Sequence, residues 1–62
     1  MKKEMIVIVE NINGRFYLGK NLEFEDGLCD NCIWNEDIDT VKEIAEKDAK
    51  LRDYKIVAIE EF

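Results

Sequence analysis

Histidine, serine and proline are absent from this chain. Without histidine it lacks the commonest general base, the commonest zinc ligand besides cysteine, and every Ser/His or Cys/His nucleophile arrangement. The three glycines stand alone at 14, 19 and 27, so no glycine-rich loop is present to cradle a phosphate. Carboxylates are plentiful, yet nothing in the sequence marks one as desolvated enough to serve as a general acid. Catalysis is therefore not expected. Long apolar runs are missing too. The N-terminal run Met5–Val9 is bracketed by acids and falls short of the about 7–15 residues of a secretory signal, let alone the about 20 of a membrane span. The expectation is a cytoplasmic protein without a membrane partner, whose cysteines stay thiols unless a metal or a redox cycle claims them.

What is present reads as one small domain spanning residues 1–62. With 47% hydrophobic residues beside 39% charged ones, the chain has the apolar content that a disordered segment lacks. A domain this short buries only about 60% of its unfolded surface. Its core rarely supplies more than about 3–5 kcal/mol, so a metal, a disulfide or a second subunit is a common supplement, and a homodimer is a standing expectation. The net charge of −6 argues against direct nucleic-acid binding, in which Lys and Arg replace counterions on phosphates. Its distribution is uneven. Between Lys20 and Lys42 lie Glu23, Glu25, Asp26, Asp30, Glu36, Asp37 and Asp39 with no base, while the remaining residues hold nine bases against eight acids. Such a cluster is either a solvated face or a surface for a basic protein partner.

Residues 5–12, MIVIVENI, are β-branched and apolar as strands are. Asn13-Gly14 and RFYLGK follow, the strongest short-range hairpin signal, because a type I′ turn needs positive φ at both central residues. A two-residue loop at 13–14 pairs Val9 with Leu18, Asn11 with Phe16 and Met5 with Leu22. One face then carries Met5, Val7, Val9, Phe16, Leu18 and Leu22, and the other Ile6, Ile8, Ile12 and Tyr17. With both faces apolar, the first strand is expected at the centre of a sheet, covered on both sides.

The period turns helical in DTVKEIAEKDAKLRDY. Thr40 and Glu43 fit a capping box, with Asp37 and Asp39 beside the positive end of the helix dipole. Ile38, Val41, Ile44, Ala45, Ala49 and Leu51 fall on one stripe. Asp48 falls within it, and Arg52 four residues on is its expected salt-bridge partner at the stripe's edge. The closing YKIVAIEEF reads as a strand whose run Ile56–Ile59 suggests an inner position. LEFE and CIW are weaker strand signals. The fold class predicted is α+β: a small antiparallel or mixed sheet of hairpin, short third strand and C-terminal strand, packed against one α-helix.

Cys29-Asp30-Asn31-Cys32 is the one local ligand motif. Two thiolates suit tetrahedral zinc, but a closed site needs four ligands, so a zinc reading requires Cys29 and Cys32 of two chains across a dimer. No cofactor is expected within one chain. A thioredoxin-type redox role is disfavoured at this level because the motif does not open a helix after a strand. Calcium is excluded by position: aligning the EF-hand glycine on Gly27 puts Phe24 and Ile33 at ligand positions. Trp34 has two readings, core residue and contact anchor, the core reading being favoured; Phe24 and Leu28 share the ambiguity.

The order MIVIVENINGRFYLG, then Trp34, DID, IAEKDAK and YKIVAIEE resembles small accessory proteins encoded by phages and mobile elements of Gram-positive bacteria, across Met5 to Glu61. Those proteins run strand, Asn/Gly turn, YLG-like strand, Trp-x-x-Asp, helix and a Val/Ile-rich strand; the Cys-x-x-Cys and the long acidic segment depart from the pattern. The resemblance implies a compact acidic module of the anti-restriction or anti-CRISPR inhibitor type, presenting carboxylates where a defence nuclease expects phosphates. On that implication Glu23, Phe24, Glu25, Asp26, Asp30, Trp34, Glu36 and Asp37 form the partner-binding set. The competing reading is a self-associating assembly domain, with the shared four-thiolate zinc site as a variant. A third, nucleic-acid binding through Lys2, Lys3, Arg15, Lys20 and Lys55, runs against the net charge.

Overall fold

The computed structural model describes residues 4–61; Lys2 and Lys3 lie outside them. Strands β1 (Met5–Asn11), β2 (Gly14–Leu18), β3 (Phe24–Glu25) and β4 (Lys55–Glu61) form one antiparallel sheet in the order β3-β2-β1-β4, and helix α1 (Ile38–Arg52) lies between β3 and β4 in the chain. This is the expected α+β architecture. No helix among the described residues is long and apolar enough to cross a membrane.

Alternation in β1 puts Met5, Val7 and Val9 on the helix side, where they are buried with Leu18, Trp34, Val41, Ala45 and Tyr54. Each such aliphatic side chain contributes about 1.5–3 kcal/mol by leaving water. Ile6 and Ile8 point to the opposite face, where they are half-buried beside Tyr17 and Ala58 and no helix covers them among the described residues. Central placement of β1 holds; helical cover on both sides does not.

The hairpin forms, but its turn sits one residue earlier than Asn13-Gly14 predicts. Val9 pairs with Phe16, Glu10 with Arg15 and Asn11 with Gly14, leaving Ile12 and Asn13 as the loop and Ile12 at its exposed tip. The cause is local. The Asn11 side-chain oxygen accepts the Asn13 amide at 2.7 Å, starting the turn as an Asx-turn, and the positive φ falls on Gly14 (124°) alone. Moving the loop by one residue shifts partners by two, so the predicted faces survive although the predicted pairs do not.

β4 is an edge strand, not an inner one. Ile8 pairs with Ala58 and Val9 with Ile56, so Val57 is the extra residue of a β-bulge. The bulge lets Ile56 and Ile59 both pack on the core while Val57 is exposed. An unbroken apolar run thus reflects a local change of face, not cover on two sides.

The helix starts earlier than the capping box predicts. Asp37 is the N-cap, its Oδ1 accepting the Thr40 amide at 2.8 Å, and Thr40 lies inside the first turn. An Asp competes well with Thr for this role, and here its backbone also accepts the Val41 amide at 3.1 Å. On the other side of the helix Leu51, predicted for the stripe, is 76% exposed, and Ile38 is exposed as well. The buried line is Val41, Ala45 and Asp48. Asp48 is therefore not at the stripe's edge but within the packed face. At the C-terminus Asp53 takes the left-handed conformation (φ 57°), closing the helix through its amide to the Ala49 carbonyl.

Candidate functional site

The acidic segment is built outward from Leu18. A turn from Gly19 to Leu22 is closed by the Leu22 amide on the Gly19 carbonyl (2.8 Å), and the Gly19 amide bonds the Glu23 carbonyl at 2.8 Å. Leu22 reaches φ 65°, unusual for a branched apolar residue, and its side chain packs against the core. β3 then lies along β2 through Tyr17–Glu25 and Leu18–Phe24. After a bend the chain makes a single 3-10 turn at Asp30–Cys32, and the Lys20 amide reaches the Asn31 carbonyl at 2.7 Å. The two ends of the excursion are thereby joined. Trp34 completes the attachment: its backbone exchanges two 2.8 Å bonds with Met5, and its indole N–H donates to the Leu18 carbonyl at 2.9 Å.

Two asparagines organise the loop's carboxylates. Asn31 Nδ2 donates to Asn21 Oδ1 (2.7 Å) and to Glu25 Oε2 (3.4 Å), while Asn21 Nδ2 donates to Glu23 Oε1 at 2.8 Å. Gly19 makes room for this network, since a Cβ there would collide with Asn31 Nδ2. Neither asparagine, nor Gly19, stood out in the sequence. The signal was one Asn just before the acidic run and one within it, but polar residues in a loop have many uses.

The sequence-predicted set divides. Trp34 is 1% exposed and hydrogen-bonded, which makes it a core residue and removes it from the surface. Phe24 is half-buried, stacked on Phe16 at 5.8 Å, edge-on to Tyr54 at 5.2 Å and covered by the Arg52 guanidinium at 4.8 Å. Asp37 is exposed but occupied as the helix cap, and the Thr40 amide lowers its pKa. Glu23 and Glu25 each hold one asparagine. Asp26, Asp30 and Glu36, with Asp39, are exposed and have no ion-pair or side-chain hydrogen-bond partner among the described residues. The asparagine network brings Glu23 and Glu25 together, with Asp26 and Asp30 on the chain between Glu25 and Asn31; Glu36, Asp37 and Asp39 lie beyond Trp34 at the start of α1.

Arg52 explains how the loop is tied to the helix. Its Nε and Nη2 bind Asp48 Oδ2 at 2.9 and 2.6 Å, and Nη2 also donates to the Leu22 carbonyl. The Tyr54 hydroxyl donates to the same Asp48 oxygen at 2.7 Å. Burial pushes the Asp48 carboxyl up, but the bonds from Arg52 and Tyr54 and the guanidinium charge outweigh it and leave its pKa lowered. Burial, then the bond to Asp48, raises the Tyr54 pKa to about 12.

Beside the acids lie the thiols. Cys29 is exposed and Cys32 fully buried, both free, with their sulfurs 3.3 Å apart. Cys32 Sγ also faces the Gly27 carbonyl at 3.6 Å. Cys29 precedes a single 3-10 turn of three residues, which is not the α-helix that a thioredoxin-type motif opens. Among the described residues no three of the groups His, Cys, Asp and Glu converge as metal ligands. Of the basic residues, Arg15 and Lys55 flank Glu10 across the sheet at 3.2 and 3.5 Å, so they pair with an acid and do not form a cationic patch.

The fold and site define a class: a four-stranded antiparallel α+β domain with a pinned acidic loop. Comparison with known families, curated proteins and solved structures finds no match for this chain.

Proposed function

We propose that this chain is a small acidic protein-binding module, of phage or mobile-element type, that inhibits a host defence nuclease by occupying its basic nucleic-acid channel. The observation that carries the reading is that Asp26, Asp30, Glu36 and Asp39 are exposed and unpaired among the described residues, on a segment whose backbone is tied down at both ends. Carboxylates held in advance lose less freedom on binding than those of a flexible tail. Steering by such charges raises the rate of encounter with a cationic groove and fades with salt.

The self-assembly reading has less support. β4 offers an open edge, but Val57 bulges from it and Lys55, Glu60 and Glu61 line it, both devices that discourage edge pairing. A zinc site shared across a dimer needs both thiols at the surface, and Cys32 is fully buried.

Capture from a bacterial lysate at low and high salt tests the proposal, with the captured protein then titrated against the pure domain. Asp26→Lys with Asp30→Lys is expected to weaken binding by at least about tenfold, the scale of a few exposed charge contacts. Asp37 is left intact because its loss would also loosen the helix. Full inhibition by the charge-reversed variant would refute the mimicry.

A further inference from the structure

Two free thiols 3.3 Å apart, one at the surface and one buried, form an arrangement that neither a core packing role nor an acidic binding face requires. We infer that Cys29 and Cys32 are a reversible dithiol–disulfide pair, entered at Cys29 and closed by Cys32, whose exchange partners are small neutral or cationic disulfides. Access sets the order of events. Only Cys29 meets a reagent from solution, and only Cys32 stands near enough to resolve what forms there.

The steps balance with an external disulfide, RSSR, as oxidant. Cys29 loses its proton and attacks one sulfur; the reagent's S–S bond breaks, and the first RS⁻ leaves and takes up a proton. Cys32, deprotonated in turn, attacks the Cys29 sulfur of the mixed disulfide. The Cys29–Cys32 bond forms as the second RS⁻ departs and is protonated. The two cysteines are oxidised by two electrons, and RSSR is reduced to two thiols. Burial raises the pKa of Cys32, as does its contact with Cys29, which makes it a poor first nucleophile.

Charge chooses the reagent. Glu25, Asp26 and Asp30 lie within four residues of Cys29, Glu25 bonding Asn31 between the two thiols, against one base held at that turn, Lys20, whose amide bonds the Asn31 carbonyl at 2.7 Å. An anionic disulfide is repelled there and a cationic one attracted.

Intact-mass spectrometry of the reduced, folded protein provides the test. Brief exposure to cystamine should remove two hydrogens and leave no adduct, and dithiothreitol should restore the starting mass. Limited iodoacetamide treatment of the native wild type should modify Cys29 and spare Cys32 until the chain is unfolded, a measurement that needs no variant. Cys32→Ala should retain a stable mixed disulfide on Cys29, and Cys29→Ala should resist the reagent, each checked for folding by circular dichroism. At low salt cystamine should react at least about fivefold faster than glutathione disulfide, as charge alone predicts, and both salt and Asp26→Asn with Asp30→Asn should shrink the ratio. A persistent wild-type adduct at Cys29, native labelling of Cys32 as fast as of Cys29, or a ratio that neither salt nor the variant moves would overturn the inference.

Discussion

At the scale of residues, Asp48 is the group on which most depends, because one oxygen serves Arg52 and Tyr54 within the packed face of α1. Asp48→Ala leaves a phenol and part of a guanidinium without their acceptor. It should cost about 2 kcal/mol, below the usual figure for a fully buried pair because Arg52 is partly exposed. Urea unfolding of the two proteins measures it. The pH dependence follows from the two shifts. The Asp48 pKa is lowered by folding, so its contribution is present above the unfolded carboxylate value, about 3.9, and is lost as pH falls through the folded value. The Tyr54 pKa is raised to about 12, so its contribution is complete below about 10 and disappears as pH rises toward 12. Tyr54→Phe should flatten that alkaline loss while costing about 1 kcal/mol at neutral pH. The Asp48–Arg52 pair was legible from its spacing of four. Tyr54 as a third member was not, since it meets Asp48 only after the chain reverses at Asp53. Gly19 is a residue of the same kind. Gly19→Ala would drive a methyl into the Asn31 side-chain amide, which must swing away and lose its bonds to Asn21 and Glu25, and is expected to quicken hydrogen exchange at the Lys20 amide that bonds Asn31.

At the scale of elements, the helix boundaries separate the two capping schemes. Asp37→Ala should lower the melting temperature more than Thr40→Ala, because it removes the oxygen that receives the Thr40 amide. Thermal unfolding of the pair checks this, and the reverse ranking would restore the capping box. Asp53 sits in a conformation that glycine adopts more easily, so Asp53→Gly is expected to stabilise by about 0.5–1 kcal/mol in the same assay. The existence and type of the long elements followed from their periods. Their ends did not, because Asp37 and Thr40, or Asn11 and Asn13-Gly14, are nearly equal local candidates, and the choice lies in which side-chain oxygen takes the Thr40 or the Asn13 amide.

At the scale of the molecule, Trp34 makes the acidic loop and the sheet one unit. It is the single tryptophan of the chain, buried on the core side of β1 and bonded to both Met5 and Leu18. Its emission should be blue-shifted and poorly quenched by acrylamide. Its unfolding transition should coincide with that of α1 followed by far-ultraviolet circular dichroism, the mark of a two-state small domain. An earlier fluorescence transition would mean that the acidic segment detaches first, which would weaken the case for a surface organised before its partner arrives.

The sequence by itself determined the strand and helix periods, the inward face of the hairpin, the acidic cluster, and the improbability of His- or Ser-based chemistry. These rest on residue type and short spacing, and parity even protected the predicted faces from the error in the turn. Only the tertiary structure decided that β4 lies at an edge, that Val57 bulges, that Trp34 belongs to the core, and that Cys29 is exposed where Cys32 is not. Each of those depends on contacts between residues far apart in the chain. A local pattern lists the groups able to make such contacts, and the packed chain determines which of them do.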